Sequence, residues 1–158
     1  MRYLKKVLST VMFIGVDFDG VVVSKQAEKV QTVEEMVRVK PTSEGIVQLL
    51  NDNIVRMILT GRKDLVPVLE WCRRYVSGYR GEVATAHAYG GSKKRYLLFR
   101  GVDVFVTDED AWLDDLREWE RESGKVLLVF DEERDQCVRD LLLRNQFLLA
   151  IPGIVKQV

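Results

Sequence analysis

A run of apolar residues that ends in two carboxylates, one residue apart, constrains this chain more than any other feature. Residues 13–16 are apolar or glycine, and Asp17, Phe18, Asp19 and Gly20 follow directly. An apolar run of this kind is typical of a strand buried in a parallel sheet, where uncompensated charge is costly. We therefore predict that Asp17 and Asp19 lie at the end of a core strand and bind a divalent cation.

The spacing of the two acids favours a particular chemistry. In an extended segment, side chains two residues apart point the same way, so Asp17 and Asp19 are expected to face one ligand. Oxygen ligands of this kind suit Mg²⁺, which keeps several waters and pairs with substrate phosphate. A carboxylate held against that metal can also attack phosphorus and form an aspartyl-phosphate. The motif alone leaves open a simpler explanation, in which the acids meet solvent or cap a helix.

The length and composition of the chain indicate one domain, which we expect to span residues 1–158. The 158 residues are 47% hydrophobic, enough for one sizeable core with little room for a second. Lys and Arg number 24, as do Asp and Glu, so net charge gives no argument for general nucleic-acid binding. The single histidine argues against a His-based zinc site or a Ser-His triad.

The cysteines and the amino-terminal segment bear on location. Cys72 and Cys137 lack the paired spacing of a metal site or a disulfide framework, which predicts a reducing, cytoplasmic compartment. Residues 1–16 resemble a signal peptide superficially but lack a small-residue cleavage site, so we interpret their end as the first core strand. The sequence contains no apolar segment of transmembrane length, and we expect no membrane partner.

Apolar runs alternate with helical patterns along the chain. We predict strands at residues 11–16, 54–59, 82–87, 102–106, 126–130 and 147–151. We predict helices at residues 41–51, 64–76, 93–99, 111–123 and 132–144. The buried side of the 64–76 helix is expected to carry Val68, Leu69 and Cys72. Within the flap region, residues 21–40, segments 21–23 and 36–39 are expected to pair as a β-hairpin. Short connections imply right-handed crossovers, so the predicted fold class is α/β, a three-layer α/β/α Rossmann-like domain with a mostly parallel sheet and no large cap domain.

Polar residues recur where the predicted strands end. Thr60, Gly61 and Arg62 follow the second strand, and Asp108 begins a run of three acids after the fourth. In parallel α/β sheets, ligands bind at this edge. The hydroxyl of Thr60 and the N–H of Gly61 can bind a phosphoryl oxygen, and Lys93 or Lys94 can supply positive charge beside it.

In this order, the segments resemble the four motifs of the haloacid dehalogenase superfamily of phosphohydrolases. The matching segments are Asp17-Phe18-Asp19-Gly20-Val21, Leu59-Thr60-Gly61-Arg62, a lysine at 93 or 94, and an apolar strand ending in acids. The resemblance implies that Asp17 is the nucleophile, that Asp19 is the general acid and base, and that Thr60 and Lys93 assist catalysis. It also implies substrate contacts from Gly20, Thr60, Gly61, Arg62 and Lys94.

The resemblance leaves the last metal ligand open. If Lys93 or Lys94 is the lysine of the third motif and Asp108 the acid of the fourth, the chain resembles small nucleotidase-like members of the superfamily. If Asp131 is the acid of the fourth motif, it resembles the phosphatase domains of polynucleotide kinases instead. We favour Mg²⁺ ligation by Asp17, Asp19 and Asp108, with Asp131 as the alternative to Asp108. In either assignment a glutamate follows where the family usually has a second aspartate, so reduced or absent activity is the competing prediction.

The short segments between the motifs leave no room for a large cap domain, so we expect an open site. An open site favours exposed phosphates, and the sequence therefore predicts a phosphomonoesterase acting on nucleotides or nucleic-acid phosphate ends. The contrasting hypothesis is a catalytically weak binding or assembly module. In that case Trp71, Trp112 and Trp119 would be exposed anchors, whereas we expect them in the core. The sequence leaves open whether the chain forms an oligomer, in which a neighbouring subunit would cover the site.

Overall fold

The computed structural model describes residues 12–147, and a five-stranded parallel sheet forms their centre. The strands are β1 (Ile14–Asp17), β2 (Val55–Thr60), β3 (Glu82–Thr85), β4 (Val104–Thr107) and β5 (Val126–Val129). They lie in the order β3-β2-β1-β4-β5, and each neighbouring pair is parallel. The predicted α/β class with a parallel sheet is confirmed, and β1 lies at its centre.

Helices cover both faces of this sheet. The α-helices are α1 (Val33–Met36), α2 (Glu44–Asn51), α3 (Val66–Tyr75), α4 (Lys93–Arg100), α5 (Leu113–Ser123) and α6 (Val138–Arg144). Short 3-10 helices occupy Lys25–Lys29 and Ala86–Tyr89. Across the part of the chain that the structure describes, no helix is long and apolar enough to cross a membrane.

Two buried clusters fill the space between the sheet and its helices. Val104 and Val106 of β4 belong to a cluster that also contains buried residues of α2, α3 and α6. Phe105, between them, belongs to a second cluster with residues of α4 and α5. Because successive side chains of a strand point to opposite faces, this alternation places one cluster on each side of the sheet.

Residues 21–40 do not form the predicted β-hairpin. Val23 makes only isolated bridges, to Asp19 and Pro41, and the segment contains the first 3-10 helix and α1. Ser24 accepts a hydrogen bond from the N–H of Gln26, and Thr32 accepts one from the N–H of Glu35. Side-chain caps of this kind favour helical turns over strand pairing, which is why the hairpin prediction was wrong.

The predicted helices differ from those observed in their bounds. The helix expected at residues 132–144 begins only at Val138, because the Asp131 carboxylate closes a turn by accepting two backbone N–H groups. The helix expected at 64–76 spans Val66–Tyr75. It buries Trp71 completely and leaves Leu69, an expected core residue, 44% exposed.

The predicted strands are displaced by a few residues. The first described strand is Ile14–Asp17, and the fourth is Val104–Thr107. The strand expected at 82–87 ends at Thr85, because the Thr85 side chain caps the following 3-10 helix. Apart from Phe147, the strand predicted at 147–151 lies outside the described residues.

Candidate functional site

Asp17 is the last residue of β1 and is 2% exposed. The chain turns directly after it, because the carbonyl of Phe18 accepts the N–H groups of Val22 and Val23 at 3.0 and 3.1 Å. Asp19 therefore does not continue the strand, and the expectation of an extended segment through both acids was wrong. The carboxylates of Asp17 and Asp19 contact different partners.

Asp17 is surrounded by groups from β4 and α4. The Nζ of Lys93 lies 2.6 Å from its Oδ1, and the hydroxyl of Thr107 donates to its Oδ2. Burial raises the pKa of Asp17, and the Asp110 carboxylate adds to this effect, while the Lys93 ammonium opposes it. A buried carboxylate paired with an ammonium is thus fixed at the carboxyl end of the central strand.

The structure separates the two candidate lysines. Lys93 is 2% exposed and opens α4 next to Asp17. The Nζ of Lys94 instead lies 2.8 Å from Glu122 and 3.8 Å from Glu118, both on α5. Consecutive residues of a helix do not share a face, so only one of the pair reaches Asp17. Lys94, predicted as a substrate contact, is not brought to this site.

Three carboxylates converge beside Lys93. Asp17, Asp108 and Asp110 can each offer one oxygen within 4.8 Å of the others. Asp108 is 6% exposed, and its Oδ1 has no hydrogen-bond partner among residues 12–147. Burial, with Asp110 and Asp17 nearby, raises the pKa of Asp108 to about 7. An orphaned carboxylate oxygen beside two other carboxylates fits a hard divalent cation that takes oxygen ligands.

The alternative ligand, Asp131, lies outside this cluster. It follows β5, and its Oδ1 accepts the N–H of Glu133 at 2.9 Å and that of Arg134 at 3.3 Å. In the cluster, Asp110 takes the place that was predicted for Asp19. The run of acids after the fourth strand had indicated Asp108 as the ligand, with Glu109 and Asp110 only in support of it.

Asp19 forms a two-pronged ion pair with Arg62. The Nε of Arg62 lies 2.8 Å from Oδ2 of Asp19, and its Nη2 lies 2.9 Å from Oδ1. The same guanidinium donates to the carbonyls of Val30 at 2.5 Å and Ala27 at 2.7 Å. These hydrogen bonds of the Arg62 guanidinium link Asp19 to the segment that contains the first 3-10 helix. Arg62 was predicted to contact the substrate, and in this structure its N–H groups contact the protein instead.

Thr60 and Gly61 form one wall of the site, as their place after β2 predicts. The Oγ1 of Thr60 accepts the N–H of Arg62 at 3.1 Å. A Cβ at Gly61 would lie 2.6 Å from Nε1 of Trp112, so only glycine fits against this indole. Trp112 is half-buried, and Lys93 Nζ lies 5.1 Å from the centroid of its ring. Trp71 and Trp119 are fully buried, as expected, whereas Trp112 lines the site.

Two cavities meet at this edge of the sheet. The smaller, of about 230 Å³, is lined by Asp17, Thr60, Gly61, Lys93, Asp108 and Trp112, among others. The larger, of about 860 Å³, lies between the first 3-10 helix and the loop at 131–133. Asp108 and Glu28 line both. Gly20 has a φ of +90°, and a Cβ there would lie 2.2 Å from Oδ2 of Asp108, so this position requires glycine.

The site thus joins residues from five segments: the end of β1, the end of β2, the start of α4, the run after β4 and the 3-10 helix Lys25–Lys29. Comparison of the chain with protein-family models, with curated proteins and with solved structures finds no match. The site itself therefore carries the functional argument.

Proposed function

We propose that this protein is a Mg²⁺-dependent phosphomonoesterase of the haloacid dehalogenase type. One observation carries the proposal: the buried Asp17 carboxylate lies at the carboxyl end of the central strand, between Lys93 and the acids after β4. A carboxylate in this position has the partners that a nucleophile toward phosphorus requires, a nearby cation and a metal-binding cluster. The order of the four motif-like segments along the chain supports the same proposal.

The metal would be held by Asp17, Asp108 and Asp110. Their oxygens approach one another closely, and the Oδ1 of Asp108 has no hydrogen-bond partner among residues 12–147, so it is available to a ligand. Mg²⁺, when bound, would offset the clustered negative charge and that of a substrate phosphate. Asp19, which the sequence placed among the ligands, is held by Arg62 and is assigned to proton transfer instead.

In the first chemical step, an oxygen of Asp17 forms a bond to phosphorus. The bond between phosphorus and the leaving oxygen breaks, and that oxygen takes the bonding electron pair and a proton from Asp19. In the second step, water attacks phosphorus, gives its proton to Asp19, and releases phosphate while the Asp17 carboxylate is restored. Lys93 offsets the charge near Asp17, and the Thr60 hydroxyl with the Gly61 N–H orients the phosphoryl group.

The pair between Asp19 and Arg62 sets a condition on this mechanism. Both carboxylate oxygens of Asp19 accept hydrogen bonds from the guanidinium, so neither oxygen is free to contact a leaving oxygen in this arrangement. Asp19 therefore requires a substrate whose leaving oxygen displaces one of these contacts before it can carry a proton. The same two contacts favour a second candidate function, a catalytically weak module that binds Mg²⁺ and phosphate.

The proposal is tested on p-nitrophenyl phosphate with and without Mg²⁺. We expect Mg²⁺-dependent hydrolysis by the wild type and a loss of about 100-fold or more in Asp17→Asn and Asp108→Asn. Asp131→Asn is the matched control, because Asp131 was the alternative to Asp108 as a metal ligand and lies outside the cluster. Beryllium fluoride with Mg²⁺ should form an adduct on Asp17, visible by ¹⁹F NMR.

Two results would decide against the mechanism or the activity. Full Mg²⁺-dependent hydrolysis by Asp17→Asn would exclude the covalent step. A wild type that binds Mg²⁺ and forms the beryllium fluoride adduct, yet hydrolyses no ester, would establish the weak binding module instead.

A further inference from the structure

The larger cavity beside Asp108 is lined mainly by carboxylates. It has a volume of about 860 Å³, within the range of small-molecule sites. The carboxylates that line it are those of Glu28, Asp108, Glu109, Asp131, Glu132 and Glu133. Lys25 and Lys29 are the basic residues in its lining, so acids outnumber bases threefold.

One of these lysines is already engaged by the protein. The Nζ of Lys25 lies 2.5 Å from the carbonyl oxygen of Glu109 and 3.4 Å from Oδ2 of Asp108. Ser24 and the N–H of Lys25 both donate to Glu132, at 2.9 and 3.2 Å, and so fix the 3-10 helix across the cavity. The carboxylates of Glu28, Glu109 and Glu133 form no ion pair or hydrogen bond with other side chains or backbone groups in residues 12–147, so their charge is not offset by a direct partner there.

This charge does not form a second metal site. Over residues 12–147, the group of acids close enough to share one ion is Asp17, Asp108 and Asp110. Of these, only Asp108 lines the larger cavity. The remaining carboxylates are spread along the wall, and a spread of like charges creates a field suited to an organic cation.

The larger cavity also adjoins the place where a phosphoryl group would bind. Asp108 and Glu28 line both cavities, and Asp108 is more than nine-tenths buried with an Oδ1 that lacks any partner in the described chain. This orphaned atom, which is also the proposed metal ligand, thus lies where the two cavities meet. A leaving group that extends from a phosphoryl group beside Asp17 past Asp108 would enter the larger cavity.

We propose that this cavity selects phosphomonoesters whose leaving alcohol carries a positive charge, such as an ammonium group. This inference rests on the proposed phosphatase activity and names its substrate class. A cationic alcohol gains from the carboxylate wall, whereas a nucleotide or a nucleic-acid end brings further phosphates or an anionic backbone against it. The substrate class predicted from the sequence is thus disfavoured by a charge pattern that only the folded chain assembles.

The test compares substrates that differ in the charge of the alcohol. With Mg²⁺, kcat/KM is measured for O-phosphoethanolamine, for ethyl phosphate, for 2-phosphoglycolate and for an oligonucleotide with a 3′-phosphate. We expect values that fall in the order cationic, neutral, anionic, with about tenfold or more between the first and last groups at low salt. The preference should weaken as ionic strength rises.

Variants of the cavity wall then locate the preference. Glu109→Gln and Glu133→Gln should each lower the ratio of kcat/KM for phosphoethanolamine to that for phosphoglycolate by about threefold, and the double variant by more. Glu34→Gln, which removes an exposed acid of α1 outside the lining, is the control and should not alter the ratio.

The outcomes are distinguishable. If the wild type hydrolyses neutral esters but treats cationic and anionic esters alike, the substrate inference is wrong and the proposed function stands. The inference also fails if both cavity variants leave the ratio unchanged. If no ester is hydrolysed, the proposed function fails, and the substrate inference fails with it.

Discussion

The ammonium of Lys93 lies 2.6 Å from a carboxylate oxygen of Asp17, and each side chain is 2% exposed. The two residues are separated by 76 positions along the chain. They meet because β1 is central in the sheet and α4 begins at the same edge. A buried ion pair of this kind is costly to form and is expected where chemistry depends on it.

Lys93→Met should abolish hydrolysis while Lys94→Met does not. Loss of the Lys93 ammonium removes the cation beside the proposed nucleophile, and we expect kcat to fall by about 100- to 1,000-fold. Lys94 pairs with Glu122 on the surface of α5, so Lys94→Met is the matched control. Circular dichroism and urea unfolding of both variants should precede the assay. Equal activity of Lys93→Met and wild type would show that Asp17 does not need this partner.

Asp108 should make stability depend on pH in the absence of divalent cations. Burial raises its pKa from an ordinary 3.8 to about 7 in the folded protein. Between these values the folded state binds more protons at Asp108 than the unfolded state, so this group's contribution to the free energy of unfolding falls as pH rises.

The matched variant for this prediction is Asp108→Asn, which lacks the titrating group. In EDTA, wild type should lose stability relative to Asp108→Asn as pH rises from about 4 to 7. Mg²⁺ should stabilise the wild type increasingly over that range, because it binds the ionised form. Urea unfolding at a series of pH values measures both effects, and parallel curves for the two proteins would contradict the assignment.

Gly20→Ala should disturb the metal cluster, and Gly101→Ala should not. Both glycines have positive φ, +90° and +70°, so alanine costs about 1 kcal/mol at each for the backbone alone. At Gly20 the new Cβ would also lie 2.2 Å from Asp108, whereas at Gly101 nothing lies within 4 Å. Isothermal titration should show weaker Mg²⁺ binding only in Gly20→Ala. Equal Mg²⁺ affinity in the two variants would place Asp108 outside the metal site.

Arg62→Lys should release both Asp19 and the segment that contains the first 3-10 helix. Lysine keeps the charge but cannot form two parallel hydrogen bonds to Asp19 while reaching the carbonyls of Ala27 and Val30. We expect activity to fall by about 10- to 100-fold, as for other residues that orient catalytic groups. Limited proteolysis should cut between residues 24 and 30 faster. Arg73→Lys, at an exposed pair with Glu70, is the control, and a cleavage rate no faster than that of the control would contradict this role.

The parts of the site that could be predicted from sequence are those that depend on short, contiguous sequence patterns. Apolar runs followed by Asp17, Thr60 and Asp108 marked three strand ends, and a parallel sheet brings such ends to one edge. The flap at 21–40 was mispredicted because short polar segments depend on individual caps, here Ser24 and Thr32, rather than on a periodic pattern. Leu69 was mispredicted as buried for a similar reason, since the helix face that is buried depends on what packs against it.

An α/β fold with acids where its central strands end is predictable from the amino-acid sequence, because those features depend on periodicity and on the local order of residues. Contacts between distant segments establish which lysine meets Asp17, that Asp110 joins Asp108, that Arg62 holds Asp19, and that the adjoining cavity is acidic. These relationships join residues far apart in the chain. The distances between these side chains depend on the order of the strands in the sheet and on how each helix is rotated about its axis. Neither can be inferred from a short stretch of sequence.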